Sequence, residues 1–495
     1  MSILLYFTIV PLGTAFLVTL LRKKKGISDL LAVLSSLYLF GLSLATAGLT
    51  KSHGVMIYKV GGWFPTIGIT LVVDGLSAFL LVAINLVAFL VLIYAISYME
   101  RYTDKWKFHA LFMFMLAGLN GVIISGDLFN LYVFLEIASI SAYALVAFGV
   151  KPQNLEAAFK YTIMGAVASI FILLGIALLY SYTSTLNMAD VAYCLSDKAK
   201  NPLLVFIWVL FLAGFGLKAA LVPFHAWLPD AHSSAPSPVS AMLSGVVIKT
   251  IGIYALMRIF FNVLGVSINL LSVLMASGIL SMVVGAFLAI AQNDIKRMLA
   301  YSSISQVGYI IFALGVGTPL AILGGLFHLF NHAVFKSLLF LDAGAIEYST
   351  GERNMDKLGG LNNKLPVTGY TSLMAAMSIS GIPPLAGFWS KLIIIVAAVE
   401  AGYIGYAIVA VLISIVTLVY YLKFQSFVFF GKLDAVYNKI QEVPLAMKTA
   451  LVILAVICVM GGLMLTGTFR PFLEGASNVI LSGTGYKQAV LGAIR

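Results

Sequence analysis

Three ionisable residues lie inside apolar stretches of the sequence, where their charges could do chemistry. They are Glu136 in GDLFNLYVFLEIASISAYAL, Lys218 in GFGLKAALVPF and Lys249 in SGVVIKTIGIYAL. A charged group in hydrocarbon costs at least about 2.5–3.5 kcal/mol, so each needs a partner or a function. A buried carboxylate and a buried ammonium keep their charges when they face each other. We therefore predict that Glu136 pairs with Lys218 and sets its proton affinity; the alternative is a static ion pair that only fixes helix packing.

A second group, His328, His332 and Lys336, has the spacing i, i+4, i+8 within HLFNHAVFK. This spacing aligns the three side chains along one face of a helix, one turn apart. Histidine titrates near neutral pH, so this face could pass protons through bridging waters. A zinc site is a second interpretation, although no third ligand follows within a turn. Hydrogen bonding between helices is a third.

Prolines interrupt two apolar runs beside a lysine. In KAALVPFHAWLPDAH they follow Lys218, and in SGIPPLAGFWSK they precede Lys391. Proline removes a backbone donor and clashes with the preceding turn, so both helices should break there. Two broken helices in corresponding places are typical of transporters built from repeats; the alternative is that proline and glycine are simply common in membrane helices. His225 and His232 flank the first break. They either load the central lysines with protons or lie in an exposed loop.

The amino-acid composition indicates what kind of environment surrounds these residues. Apolar residues make up 61% of the 495 residues and charged residues only 10%, with a mean hydropathy of +1.04. Such a balance excludes a soluble globular enzyme and a disordered chain. A crossing takes about 20 residues. The apolar runs therefore predict an all-α polytopic membrane protein with fourteen helices, near 2–21, 29–49, 74–98, 108–125, 127–149, 160–182, 202–228, 238–263, 267–291, 299–316, 319–346, 366–403, 405–430 and 446–467.

Loop charges predict how the chain is oriented in the cell membrane. Seventeen Lys and Arg residues, among them Lys296, fall in loops on one side, and eight, among them Arg258, fall on the other. Because cytoplasmic loops carry the excess of positive charge, both termini are predicted to lie outside. Residues 51–73 predict an external hairpin. No linker divides the chain, and its start enters a span rather than a removable signal, so 1–495 is interpreted as one membrane domain.

Several classes of site find no support in the sequence. It contains no GxxxxGKS/T, no GxGxxG after a strand, no CxxC and no Ser-His-Asp arrangement, and it has only two cysteines. We therefore expect no nucleotide, flavin, haem, iron–sulfur cluster or metal, and no catalytic chemistry of the chain's own. The net charge of +11 is spread between the apolar runs, which argues against nucleic-acid binding. An ion gradient or a partner subunit must supply the energy.

The longer motifs are those of a known family. The chain resembles the antiporter-like membrane subunits shared by respiratory complex I, Mrp-type Na+/H+ antiporters and membrane-bound hydrogenases. The segments that carry the resemblance are GDLFNLYVFLEIASISAYALVAFG, EAAFKYTIMGAVASIFILLGIALLY, KAALVPFHAWLPDAHSSAPSPVSAMLSGVVIKTIGIYAL, DIKRMLAYSSISQVGYI, HLFNHAVFKSLLFL and SGIPPLAGFWSK, within about 70–430.

The resemblance implies a fold. It implies two inverted five-helix repeats, at about 108–263 and 267–430, with helices 7 and 12 broken. Helices within 1–98 and 446–495 flank the repeats, and a hydrated polar axis follows the membrane midplane.

The resemblance also implies roles for single residues, matched by motif. Glu136 corresponds to the fifth-helix carboxylate, Lys218 to the seventh-helix lysine beside the break and Lys249 to the lysine on helix eight. The remaining members of the path are His328, His332 and Lys336 on helix eleven and Lys391 on helix twelve.

The motif DLFNLYVFLE is most similar to that of the D-type member of Mrp antiporters and its hydrogenase counterparts. This implies a subunit that translocates protons or cations. Its implied partners in the lipid bilayer are homologous and small membrane subunits. Na+ is a candidate second ion, and a hydrogenase or dehydrogenase arm is a candidate further partner. The alternative is a proton-pumping subunit of a complex I-like dehydrogenase. A self-contained solute carrier ranks third, since it would need a substrate pocket.

Overall fold

A computed structural model describes residues 2–24, 26–63, 68–196, 201–467 and 469–494. Helices account for 82% of the structure. This follows from the composition, because a segment in hydrocarbon has no water to satisfy its backbone and a helix satisfies it internally. The prediction of an all-α membrane protein is confirmed.

The helices are numbered in chain order through the described ranges. The first nine are α1 Tyr6–Leu20, α2 Ile27–His53, α3 Gly75–Tyr98, α4 Lys105–Ile124, α5 Leu128–Val146, α6 Pro152–Thr183, α7 Met188–Ser196, α8 Pro202–Lys218 and α9 Trp227–Ser234. The others are α10 Ser237–Val263, α11 Ile268–Ile290, α12 Ile295–Val316, α13 Pro319–Thr350, α14 Pro366–Ser380, α15 Ala386–Glu400, α16 Ile404–Val428, α17 Leu445–Met460, α18 Arg470–Leu481 and α19 Tyr486–Ile494.

The two predicted helix breaks are present. Within the described ranges, twelve helices are long and apolar enough to cross a membrane. These twelve coincide with twelve of the fourteen predicted runs. The remaining two runs, 202–228 and 366–403, are the interrupted ones, and each is divided into two shorter helices, α8 with α9 and α14 with α15.

Side chains donate hydrogen bonds to backbone carbonyl oxygens at the two breaks. At the first break the Trp227 indole donates to the carbonyl oxygen of Leu217 at 3.1 Å. At the second, the Trp389 indole donates to the carbonyl oxygen of Pro384 at 3.2 Å, and the Ser414 hydroxyl donates to that of Ser380 at 2.9 Å. Irregular backbone at membrane depth is tolerated when it is satisfied in this way.

A short hairpin precedes α3. Its strands, β1 Met56–Lys59 and β2 Thr70–Val73, pair antiparallel, with Met56 opposite Val73. This confirms the hairpin predicted within 51–73, although 51–53 belong to the end of α2 and 64–67 lie outside the described residues.

The most buried helices form the centre of the bundle. The apolar stretch of α10 is entirely buried, and 94% of that of α13 is buried, against 39% for α2. Residues 243–254 and 258–263 of α10 have the wider i→i+5 hydrogen bonding of a π-helix, a form often found at functional sites. A polar side chain on α10 or α13 therefore has to find its partner inside the protein.

Two residues predicted to lie in loops are buried in helices. Arg258 lies within α10 and Lys296 in the first turn of α12, and each is only 2% exposed. Counting them as loop charges was wrong, because each is held inside by an acidic partner from a distant helix.

Candidate functional site

Glu136 and Lys218 face each other across α5 and α8. The Lys218 Nζ lies 3.6 Å from the Glu136 Oε1, as the predicted pairing requires. It also donates to the Ser139 hydroxyl at 3.0 Å and to the Tyr143 hydroxyl at 3.3 Å. The Ser169 hydroxyl of α6 donates to the Glu136 carboxylate. Because the Lys218 side chain is 1% exposed and that of Glu136 is 25% exposed, the carboxylate is the more accessible end of the pair.

Lys249 lies in α10 between the helix that carries Lys218 and the helix that carries Lys336. Its Nζ donates to the carbonyl oxygen of Ser244. Two glycines allow the close approach of α10 on either side. A Cβ on Gly252 would lie 2.6 Å from the Cα of Ala219, and a Cβ on Gly245 would lie 3.0 Å from the carbonyl oxygen of Ala333. Lys249 therefore bridges the region between the Glu136–Lys218 pair and α13.

Lys336 is fully buried on α13. Its Nζ donates to the carbonyl oxygen of Leu299 at 2.7 Å and to the Tyr421 hydroxyl at 3.2 Å. The Tyr421 hydroxyl lies 3.0 Å from the Ser302 hydroxyl. These partners are neutral carbonyl and hydroxyl oxygens that accept hydrogen bonds from Lys336. None of them is a carboxylate that would hold the lysine in its charged form.

His332 and His328 continue this face of α13, one and two turns from Lys336. Their ring centroids are 6.3 Å apart, and both side chains are fully buried. The Nδ1 of His328 lies 2.9 Å from the Ser390 hydroxyl. Both ring nitrogens of His332 and both polar atoms of the Gln306 side chain have no hydrogen-bond partner in the described structure. Buried polar groups are normally paired, so these four atoms differ from most of the buried polar atoms around them. For the described residues, no group of three His, Cys, Asp or Glu side chains could hold a metal ion.

Lys391 lies next to Ser390, on the far side of His328. Its Nζ donates to the Ser414 hydroxyl at 3.2 Å and lies 4.9 Å from the centroid of the Tyr309 ring. The Tyr309 ring in turn lies 5.7 Å from that of His328. The second break therefore positions Lys391 beside Ser390 and Tyr309, the two residues that contact His328.

The two histidines at the first break differ in their surroundings. His225 is partly exposed between α8 and α9. His232 is fully buried on α9, where its ring stacks on Phe340 of α13 at a centroid distance of 4.8 Å. The alternative of an exposed loop is therefore wrong for His232. Both of its ring nitrogens also have no hydrogen-bond partner in the described structure.

Sequence reasoning missed two buried ion pairs. Arg258 of α10 binds Asp74, the residue that caps α3, with an Nη1–Oδ2 distance of 2.7 Å. Lys296 binds Glu347 of α13, with an Nζ–Oε2 distance of 2.7 Å. The cost of an ionisable residue inside an apolar run could have singled out Arg258, as it did Lys249. Ser139 and Tyr143 could also have been found, since they follow Glu136 at i+3 and i+7.

The chain matches models of two related families. Residues 125–418 match the family described as "NADH:quinone oxidoreductase/Mrp antiporter, TM", which is more than half of the chain. Residues 63–109 match "NADH-Ubiquinone oxidoreductase (complex I), chain 5 N-terminus".

Individual relatives agree with these matches. The chain is 42% identical to the N-type member of the NADH-quinone oxidoreductase of Desulforudis audaxviator, over 74% of each chain. It is 36% identical to the D-type member of the Na(+)/H(+) antiporter of Alkalihalophilus pseudofirmus, over 77% of each. Its fold superimposes on a chain of the Mrp complex from Dietzia sp. DQ12-45-1b with a TM-score of 0.92 and 28% identity, over 99% of both chains.

Proposed function

The chain belongs to the NADH:quinone oxidoreductase/Mrp antiporter family of membrane subunits, and from this premise we propose that it translocates protons, in exchange for Na+, within a multisubunit membrane complex. One observation carries the proposal. Seven titratable side chains, all buried except the partly exposed Glu136, lie on α5, α8, α10, α13 and α15, and most of them contact hydroxyl or carbonyl oxygens. These side chains are Glu136, Lys218, Lys249, Lys336, His332, His328 and Lys391.

A proton moves along this axis by successive exchange. When both are ionised, the Glu136 carboxylate stabilises the charged form of Lys218. Protonation of the carboxylate removes this stabilisation. The proton of Lys218 then passes towards Lys249 and on to Lys336 and the ring nitrogens of His332, which have no hydrogen-bond partner in the described structure. Lys391 completes the path and delivers the proton to the outside or to the next subunit. His225 and His232 form the entrance that loads the central lysines.

The same proposal includes the arrangement of the repeats, the orientation of the termini and the position of neighbouring subunits. The chain is one membrane domain of two inverted repeats, at about 108–263 and 267–430, and each repeat contains one break beside a lysine. Both termini face the outside of the cell membrane. Homologous subunits adjoin the chain and extend the polar axis across their interface, because the described part of the chain has no nucleotide-binding motif to drive transport by itself.

The experiment tests Glu136 in the intact complex, reconstituted into vesicles and assayed for ion flux. Glu136→Ala should abolish translocation while the complex still assembles, and Glu136→Asp should retain part of it because the charge is kept. Glu156→Ala is the matched control, since this glutamate is exposed at the start of α6 and pairs with Lys160. Normal flux in a well-assembled Glu136→Ala complex would refute the proposal.

The second candidate is a proton-pumping subunit of a complex I-like dehydrogenase. The 42% identity to a member of a quinone oxidoreductase favours it. The two candidates share the axis and differ in the source of energy. Identification of the co-purifying subunits separates them, since a dehydrogenase requires subunits that carry quinone and iron–sulfur sites.

A further inference from the structure

An apolar groove of about 810 Å³ lies between α2, α3, α17 and α18, away from the lysine axis. Its rim contains apolar side chains that are largely exposed, including Leu44 at 50% and Met460 at 53%. In a membrane-spanning bundle, exposed apolar side chains such as these face the acyl chains of the bilayer. Phe330 of α13 also lines the groove, on the opposite side of that helix from His328 and His332, because residues two apart in a helix are rotated by about 200°.

The groove has the depth of one leaflet. Its wall on α2 extends from Leu44 to Gly54, which is about 15 Å at 1.5 Å per residue. This is half of the roughly 30 Å hydrocarbon thickness of a bilayer. A spanning helix of a partner subunit would need the whole thickness and a diameter of about 10–12 Å. The length therefore favours an acyl chain over a helix.

The polar end of the groove carries a positive charge. Lys51, in the last turn of α2, lines this end and is exposed, and the described part of the chain offers it no ion pair. Asp74 also lines the groove, but Arg258 neutralises its carboxylate. α18 forms another wall. Lys51 is in the last turn of α2, a helix long and apolar enough to cross a membrane, and therefore lies at the level of lipid headgroups.

We propose that this groove binds the acyl chain of an anionic phospholipid, with the phosphate held by Lys51. The lipid would cover Phe330 and the apolar side chains that line the groove with it. Lipid binding does not depend on the direction or identity of the translocated ion.

Glycine positions allow the groove to be filled without disturbing the backbone. A Cβ added at Gly48 on α2 or at Gly475 on α18 meets no atom within 4 Å, and both residues line the groove. Gly48→Trp and Gly475→Trp therefore place a ring in the space of the acyl chain. Gly41→Trp is the matched control, because Gly41 is on the same helix, is also free of neighbours and does not line the groove.

The test counts lipids on the intact complex by native mass spectrometry after delipidation and addition of phosphatidylglycerol or phosphatidylcholine. The parent and Gly41→Trp should retain one phosphatidylglycerol more than Gly48→Trp or Gly475→Trp. Lys51→Glu should lower the preference for phosphatidylglycerol over phosphatidylcholine at least fivefold, and Lys51→Arg should keep it. Ala47→Leu is a milder filling variant that must also lower the count if the tryptophan variants fail to assemble.

Three results would overturn the proposal. The first is an equal lipid count in the parent and in the filling variants that assemble. The second is an unchanged lipid preference in Lys51→Glu. The third is efficient cross-linking of Gly475→Cys to another subunit of the complex, which would show that a protein segment occupies the groove instead.

Discussion

Arg258 and Asp74 form a two-point ion pair inside the protein, although 184 residues separate them in the sequence. The Nη1–Oδ2 distance is 2.7 Å, the Nη2–Oδ1 distance is 2.9 Å, and both side chains are 2% exposed. Asp74 also accepts a hydrogen bond from the Ser77 amide at the start of α3. Arg258 lies 4.8 Å from the Tyr486 ring centroid. The pair therefore joins the helix that carries Lys249 to α3 and to the C-terminal region.

Breaking this pair should destabilise the protein strongly. Asp74→Asn leaves the Arg258 guanidinium buried without a counter-charge, which costs about 3–5 kcal/mol. Thermal inactivation of the purified complex should occur at a markedly lower temperature. The double variant Asp74→Leu, Arg258→Met should be less damaging than Asp74→Asn alone, because it removes both charges.

A matched control is available for this prediction. Arg470 and Glu474 form an exposed i,i+4 pair with a distance of 2.7 Å. Arg470→Met should change stability by less than about 1 kcal/mol. An Asp74→Asn complex as stable as the parent would show that the pair contributes nothing to the fold.

The fold was predictable where local chemistry decides it. Hydropathy located the helices, and the prolines after Lys218 and before Lys391 located the breaks. The facing of Glu136 and Lys218 was predictable because the two carry opposite charges within apolar runs and each lowers the cost of burying the other.

The parts that were missed depend on contacts between distant segments. The position of Arg258 inside the apolar run 238–263 could have marked it as buried, but its partner Asp74 could not be identified without knowing how α3 and α10 pack. Lys296 was misplaced for the same reason, since its partner Glu347 is at the far end of another helix. The hydroxyl groups that solvate the lysines, such as Ser414 beside Lys391, also come from helices whose packing the sequence does not reveal.

Asp230 should make the stability of the complex depend on acid. It follows the first break and binds Arg297 at 2.6 Å and Lys160 at 2.9 Å. Burial alone would raise the pKa of Asp230, but hydrogen bonds and the charges of Lys160 and Arg297 outweigh it and hold the pKa below its ordinary value. The contribution to stability is therefore complete above the ordinary aspartate pKa of about 3.9 and is lost as the pH falls through the lower folded value.

The measurement compares thermal unfolding of the parent and Asp230→Asn between pH 7 and pH 3. The variant should be less stable than the parent at pH 7, and the difference should disappear only below about pH 4. Asp356→Asn serves as the control, because its carboxylate is exposed and hydrogen-bonds to Asn293. A stability difference that stays constant down to pH 3 would contradict the assigned role of the carboxylate.

The chain purified alone should not exchange ions. The proposed axis ends at Lys391, and the proposed function requires a neighbouring subunit to continue the path and supply the energy. Vesicles that contain only this chain should therefore show a small fraction of the H+ flux of the intact complex when a Na+ gradient is imposed. Equal rates in the two preparations would identify a self-contained carrier and refute the dependence on partners.

Lys391 gives the sharpest separation between a proton carrier and a fixed charge. It lies directly after the second break, and its Nζ donates to Ser414, whose hydroxyl donates in turn to the freed carbonyl oxygen of Ser380. Lys391→Ala should reduce flux to background because the path loses its last titratable group. Lys391→Arg should also be strongly impaired, because a guanidinium keeps the charge but does not release its proton. Lys423→Arg is the matched control: this partly buried lysine donates to the carbonyl oxygen of Ile290 at 3.1 Å, away from the axis, and its replacement should leave flux near the parent value. If Lys391→Arg transports as well as Lys423→Arg, Lys391 acts only as a fixed positive charge, and its place at the end of the proton path is wrong.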